Sequence, residues 1–186
     1  DVTSGGDYGV TVTNAAGCDT SADVTITEFE ISNDIAINAS DLSICPLDTA
    51  LLTANATGLS LTDGYTYNWY LNSIGSGSLV STSSETTYNT TLGGDYIVVI
   101  SNDESGGDCA DTSASVNVVQ NSNPIINLLP SSTSLCSGGT VNIDANASPS
   151  LTYAWTPSGS GPNIDVTSGG DYGVTVTNAA GCDTSA

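Results

Sequence analysis

Four carboxylates gather in the stretch NDESGGDCADT, at Asp103, Glu104, Asp108 and Asp111, beside two glycines that let a loop turn back on itself. Hard oxygen ligands crowded into one loop, with no cation to neutralise them, are what calcium binding requires, so these four are the candidate metal ligands. Their spacing matches neither an EF-hand nor a nonapeptide calcium repeat, and a solvated acidic loop is the competing reading. The five cysteines, Cys18, Cys45, Cys109, Cys136 and Cys182, form no CxxC pair and have no histidine to complete a zinc site. They are read as disulfide cysteines, which places the chain outside the cytoplasm, at an extracellular or cell-surface location. Asn55 and Asn146, each in an N-x-S/T triplet, are candidate glycan acceptors, as are Asn38 and Asn89 by the same pattern.

Catalysis finds little to work with. The chain has 20 Asp and Glu but no Lys, Arg or His. Without histidine there is no Ser-His or Cys-His dyad, and without lysine no Schiff base or Ser-Lys pair. Carboxylate pairs remain, but the DTS and DTA triplets lack the glycine that follows in aspartic-protease loops. The chain is therefore read as a non-enzyme that requires no cofactor, calcium being its one candidate ion. A net charge of −20 repels nucleic acid and anionic lipid, and no apolar run reaches the roughly 18 residues that would suggest a membrane span, so neither nucleic acid nor membrane insertion is expected. The charge reflects missing cations more than surplus acids, because only 11% of residues are charged while 38% are hydrophobic. That hydrophobic content is enough for packed cores.

The elements that must position these residues are ordered by repetition. Residues 1–22, DVTSGGDYGVTVTNAAGCDTSA, recur without a substitution as residues 165–186, a period of 164 residues. Between the two copies run short segments rich in Val, Ile, Thr and Tyr: YGVTVTN (8–14), DVTITEF (23–29), YTYNWYL (65–71), YIVVISN (96–102), SVNVVQ (115–120), TVNIDAN (140–146) and LTYAWT (151–156). Gly, Asn, Ser and Asp punctuate them, and nothing holds a 3.6-residue period, so the chain is read as all-β. An older duplication lies inside the unit. CPLDTALLTANAT from Cys45 aligns with CSGGTVNIDANAS from Cys136, YNW (67–69) with YAW (153–155), GGDY (93–96) with GGDY (169–172), and Cys109 with Cys182.

This order of Cys, Tyr-x-Trp strand, Gly-Asp-Tyr strand and cysteine turn, carried by Cys136, Trp155, Gly170, Asp171, Tyr172, the valines of YGVTV and the NAAGC turn at 178–182, resembles the immunoglobulin-like and PKD-like repeats of giant bacterial (Bacteroidetes-type) surface proteins. The resemblance implies tandem immunoglobulin-like β-sandwiches, two per 164-residue repeat. Residues 1–29 are then the C-terminal strands of the preceding repeat's second domain, 30–120 a first-type domain, and 121–186 a second-type domain lacking its last strand. It further implies bridges Cys45 to Cys109 and Cys136 to Cys182, with Cys18 facing Cys136 of a neighbouring copy. Trp69 and Trp155 become core residues packed beside those bridges, and Tyr96 and Tyr172 corner anchors. Tyr65, Tyr67 and Tyr70 are left exposed for contacts. O-linked sugar is expected on Thr49 of Asp48-Thr49-Ala50. The implied function is a structural repeat of an extracellular filament or stalk, serving projection, cohesion or attachment, whose partners are neighbouring copies of itself. The alternative is a carbohydrate-binding adhesin that holds polysaccharide through many weak sites.

Overall fold

The computed structural model describes residues 1–26, 34–57, 64–102, 109–148 and 150–186, and every regular element among them is a β-strand. Strands β1 (Gly6–Thr13) and β2 (Asp19–Ile26) form an antiparallel hairpin paired from Gly6↔Ile26 to Thr13↔Asp19. Next come β3 (Ile35–Ala39), β4 (Ser43–Ile44), β5 (Ala50–Ala56), β6 (Thr66–Leu71), β7 (Leu79–Ser83), β8 (Thr87–Thr90), β9 (Gly94–Asn102), β10 (Cys109–Thr112) and β11 (Val116–Gln120). They make two sheets, β3-β5-β8 and β4-β11-β9-β6-β7. Strand β10 also pairs with β9, and Ser113 marks the break between β10 and β11: its N–H donates to Val98 O at 2.9 Å, and its Oγ accepts from Val98 N at 3.0 Å. The remaining strands are β12 (Leu129–Pro130), β13 (Val141–Asp144), β14 (Thr152–Thr156), β15 (Asn163–Val166), β16 (Gly173–Thr177) and β17 (Asp183–Ser185), in sheets β12-β13-β15 and β14-β16-β17.

Period-2 alternation drives the packing. Along β9, Tyr96, Val98 and Ile100 are all fully buried while the residues between them are not, so one face of the strand belongs to the core. With Leu52, Trp69 and Val118 they build one cluster, and Val141, Ile143, Tyr153, Trp155, Val174 and Val176 build a second. Both indoles are core residues, Trp69 0% and Trp155 5% exposed. Tyr67 was expected at the surface but is buried, because it lies two residues from Trp69 on the same strand and so shares its inward face. Each Gly-Asp-Tyr tyrosine bonds to the carbonyl four residues before it: Tyr96 Oη to Leu92 O at 2.9 Å, Tyr172 Oη to Ser168 O at 2.9 Å and Tyr8 Oη to Ser4 O at 2.8 Å. These hydroxyls fix the corner where the chain enters the strand.

The hairpin differs from its duplicate in burial. Val10 and Val12 are 59% and 61% exposed, whereas the identical residues Val174 and Val176 are 2% and 0% exposed. The expected strand DVTITEF is found to start earlier, at Asp19, because β1 pairs with it along its whole length; residues 27–33 lie outside the described part.

Candidate functional site

The cysteines meet at a place the sequence did not suggest. Cys45 is bonded to Cys182, with an S–S distance of 2.04 Å and a Cα–Cα distance of 5.4 Å across a sequence separation of 137. This corrects the expected pairs Cys45 to Cys109 and Cys136 to Cys182, and the physical reason is strand length. Cys45 follows β4, which pairs with the end of β11, and β11 in turn pairs with β9 at Gly94. Cys109 pairs with β9 at its other end, opposite Asn102. A nine-residue strand separates those levels, roughly 26 Å at about 3.3 Å per residue, far beyond the reach of a disulfide. The second pair fails in the same way. Leu135, next to Cys136, lines a groove with Gly170 before the start of β16, while Cys182 lies past its far end at Thr177. Neither sandwich therefore has a bridge beside its tryptophan.

Both bridged cysteines sit on turns that local chemistry preorganises. At Cys182, Asn178 Oδ1 accepts from the N–H groups of Ala180 and Cys182, both at 3.0 Å, and Gly181 takes φ 86°, a left-handed conformation that costs glycine nothing. At Cys45, the residue's own N–H donates to Asp48 Oδ2 at 3.2 Å and its carbonyl accepts from Asp48 N at 3.1 Å. The segment between the two cores is held on both sides of the bridge. Asn121 N donates to Ile44 O at 2.8 Å and Asn121 Nδ2 to Ser43 Oγ at 2.9 Å. Two residues from the second sandwich then bond the following carbonyls, Asn178 Nδ2 to Ser122 O at 2.9 Å and Thr184 Oγ1 to Pro124 O at 2.8 Å. A disulfide and five hydrogen bonds, counting the 3.3 Å bond from Asn121 Nδ2 to Ile44 O, thus clamp one short junction.

Cys18 occupies the duplicate of the Cys182 turn, with Asn14 Oδ1 accepting from Ala16 N at 2.9 Å and Cys18 N at 3.0 Å, yet its thiol is exposed and free. Cys136 is itself exposed. Of the candidate calcium ligands, Asp103, Glu104 and Asp108 lie outside the described residues, and Asp111 on β10 accepts from Thr112 N at 2.7 Å. Among the described residues no three potential ligands cluster. Thr49, Asn55 and Asn146 are all exposed, on separate turns and strands. The single sequence feature that could have indicated the clamp is the position of the cysteines outside their strands: a core bridge joins residues within strands, and these flank them.

No protein-family model matches the chain, and no curated protein matches it. Solved structures similar to it include a chain of the mouse coronavirus receptor-binding domain complexed with its murine receptor, at 12% identity and a TM-score of 0.41, with 78% of this chain and 93% of that one covered. Another is the amphioxus IgVJ-C2 molecule, at 18% identity and a TM-score of 0.35, covering 77% and 96%. The chain's own topology is all-β, with paired sheets around each of two hydrophobic cores.

Proposed function

We propose that the chain is a structural repeat unit of an extracellular filament or stalk, part of a giant cell-surface protein of the bacterial type whose repeats it resembles, and that it serves projection, cohesion or attachment. The observation that carries this reading is the clamped junction. A binding module needs a shaped site, whereas a spacer needs its successive domains to hold a fixed geometry under load, and an interdomain bridge with hydrogen bonds on both flanks supplies that. The identical 22-residue segments at a spacing of 164 add a stretch that recurs without divergence, which suits length rather than recognition. An extracellular setting agrees with the disulfide.

The polysaccharide-binding alternative draws no comparable support, since the two tryptophans best suited to stack on sugar rings are core residues. Scattering from the oxidised chain and from a Cys45→Ser variant tests the filament reading. The oxidised chain is expected to fit one interdomain angle and the variant a broader distribution. Equal, broad distributions for both would overturn it.

A further inference from the structure

The clamp has two halves, and the internal duplication supplies each of them twice. Cys136 aligns with Cys45, and Cys109 with Cys182. The structure keeps both likenesses. Cys45 and Cys136 each open a turn that leads into a core strand, β5 or β13. The Cys45 carbonyl accepts from Asp48 N at 3.1 Å and the Cys136 carbonyl from Gly139 N at 2.9 Å, and the third residue of each turn is left-handed, Leu47 at φ 74° and Gly138 at φ 79°. Cys182 and Cys109 each stand where the chain turns back along the Gly-Asp-Tyr strand. Cys182 precedes Asp183, which pairs with Thr177 at the end of β16, and Cys109 pairs with Asn102 at the end of β9.

Their levels decide which halves can meet. Cys45 and Cys109 lie at opposite ends of the first sandwich, with the nine residues of β9 between them, and Cys136 and Cys182 lie at opposite ends of the second. The bridge in the structure uses the facing pair, Cys45 and Cys182. It leaves the other two halves at the outer poles: Cys109 at the far end of the first sandwich, and the exposed Cys136 at the far end of the second. With both sandwiches between them, Cys109 and Cys136 of one chain are far beyond the reach of a disulfide. A unit whose poles are unlike and complementary joins head to tail, and a head-to-tail contact that does not close into a ring grows into a filament. Composition narrows the means of joining. At a net charge of −20 with no Lys, Arg or His, no two side chains can form an ion pair between copies, so a covalent bond flanked by neutral donors, as at the existing junction, offsets a repulsion that charge pairing cannot.

We propose that Cys136 of one copy forms a disulfide with Cys109 of a second copy, repeating the Cys45–Cys182 clamp between units. The bond joins unlike sandwiches, as the existing one does; Cys18 is set apart because its turn repeats that of the second sandwich. This rests on the repeat-unit reading and names the residues by which successive units join. The oxidant is a small-molecule disulfide. The Cys136 thiolate attacks it, forming a mixed disulfide and releasing one small thiol; the Cys109 thiolate of the second copy then displaces the other, and the protons of the two cysteines end on the two released thiols.

The test uses the concentrated 186-residue chain carrying Cys18→Ser, with Cys45–Cys182 intact and an equimolar amount of oxidised glutathione, in about 1 M salt, where a Debye length of about 3 Å screens the repulsion between copies. Non-reducing electrophoresis is expected to show a ladder at whole multiples of the monomer that collapses with reductant, and peptide mapping to recover Cys136 joined to Cys109. Adding Cys136→Ser is expected to leave only monomer. An equal mixture of chains carrying Cys109→Ser and chains carrying Cys136→Ser is expected to stop at dimers, since each then holds one half of the bond. The parent chain, with Cys18 restored, is expected to yield the same Cys136–Cys109 peptide. Monomer alone overturns the proposal, as does Cys136 recovered joined to Cys136 or to Cys18. Mapping is done on chains that retain Cys109, so the result does not depend on how Cys109→Ser folds. None of these outcomes alters Cys45–Cys182, and the filament reading keeps its separate test in scattering from the Cys45→Ser variant.

Discussion

Cys45 and Cys182 lie at facing ends of two different sandwiches and are covalently joined, so that the backbone between them forms one closed loop with a sequence separation of 137. Tension applied along the chain then has a route from Cys45 through the sulfurs to Cys182 that bypasses both hydrophobic cores.

A chain held at Asp1 and Ala186 in a force spectrometer should accordingly show only a short extension when oxidised. Reductant should release the 137-residue separation, roughly 480 Å at about 3.5 Å per extended residue. The same extension before and after reductant would show that the bridge does not carry the load. In the chain-entropy model, closing so long a loop also stabilises the fold by about 5 kcal/mol, an upper figure that reduction should remove in part.

Thiol labelling gives a chemical check on the same bond. In the folded, oxidised chain a charged maleimide should modify the exposed Cys18 and Cys136 and leave Cys45 and Cys182 unmodified until reductant is added. Peptide mapping that recovered Cys136 joined to Cys182 would refute the bridge described here.

The two core tryptophans differ in a way that mutation can read. Trp155 Nε1 donates to Gly161 O at 2.9 Å, whereas the Nε1 of Trp69, fully buried and stacked on Tyr88 at 5.9 Å, has no acceptor among the described residues. Trp→Phe removes similar volume at both sites, but at Trp155 it also orphans a carbonyl, and at Trp69 it deletes an unsatisfied donor. Trp155→Phe should cost at least about 1 kcal/mol more of the stability of its sandwich than Trp69→Phe does. Urea melts of the two variants that gave equal losses, or the reverse order, would contradict this.

Much of this architecture was legible in the sequence, for physical reasons that also explain what was not. Alternation of Val, Tyr and Ile along YIVVISN and TYNWYL requires one buried face, and the structure has it. The Tyr-x-Trp and Gly-Asp-Tyr motifs act within a few residues, so their indoles and corner hydroxyls were readable. Tyr67 was misplaced only because its exposure was not tied to the parity of Trp69. Disulfide partners are a different matter, since spacing along the chain does not say at which end of a strand a turn lies. Cys109 and Cys45 fall at opposite levels of β9, a fact that appears only once the register Cys109↔Asn102 and Val118↔Gly94 is known.

Alkaline pH should loosen the first sandwich. Burial raises the pKa of Tyr67, with Tyr65 adding to the shift, and burial likewise raises that of Tyr88, with Tyr96 adding. A phenol whose pKa is higher folded than unfolded contributes stability that is whole below the unfolded value near 10 and is lost as pH rises through the folded value. Melting temperature should therefore fall above about pH 10, and Tyr88→Phe should flatten that fall. A variant with the same alkaline slope as the parent would show that these phenols are not its source.

The duplicated asparagines provide an internally controlled prediction about the clamp. Asn14 and Asn178 head identical turns, and each Oδ1 accepts the same two N–H groups. Only Asn178 also reaches across to the junction, through Nδ2 to Ser122 O at 2.9 Å, and only its turn holds a bridged cysteine. Asn14→Ala should fray an exposed hairpin and leave the main unfolding transition almost where it was. Asn178→Ala loses the same local bonds together with the junction bond, and it leaves two N–H groups and a carbonyl to find new partners beside the fully buried Cys182. The cost there should be about 1–3 kcal/mol, accompanied by faster reduction of the Cys45–Cys182 bond as the turn loses its preorganised shape. Calorimetry and reduction kinetics on the two variants decide the matter: if both substitutions shift melting and reduction equally, the asparagine serves only its own turn and the junction is held by the disulfide alone.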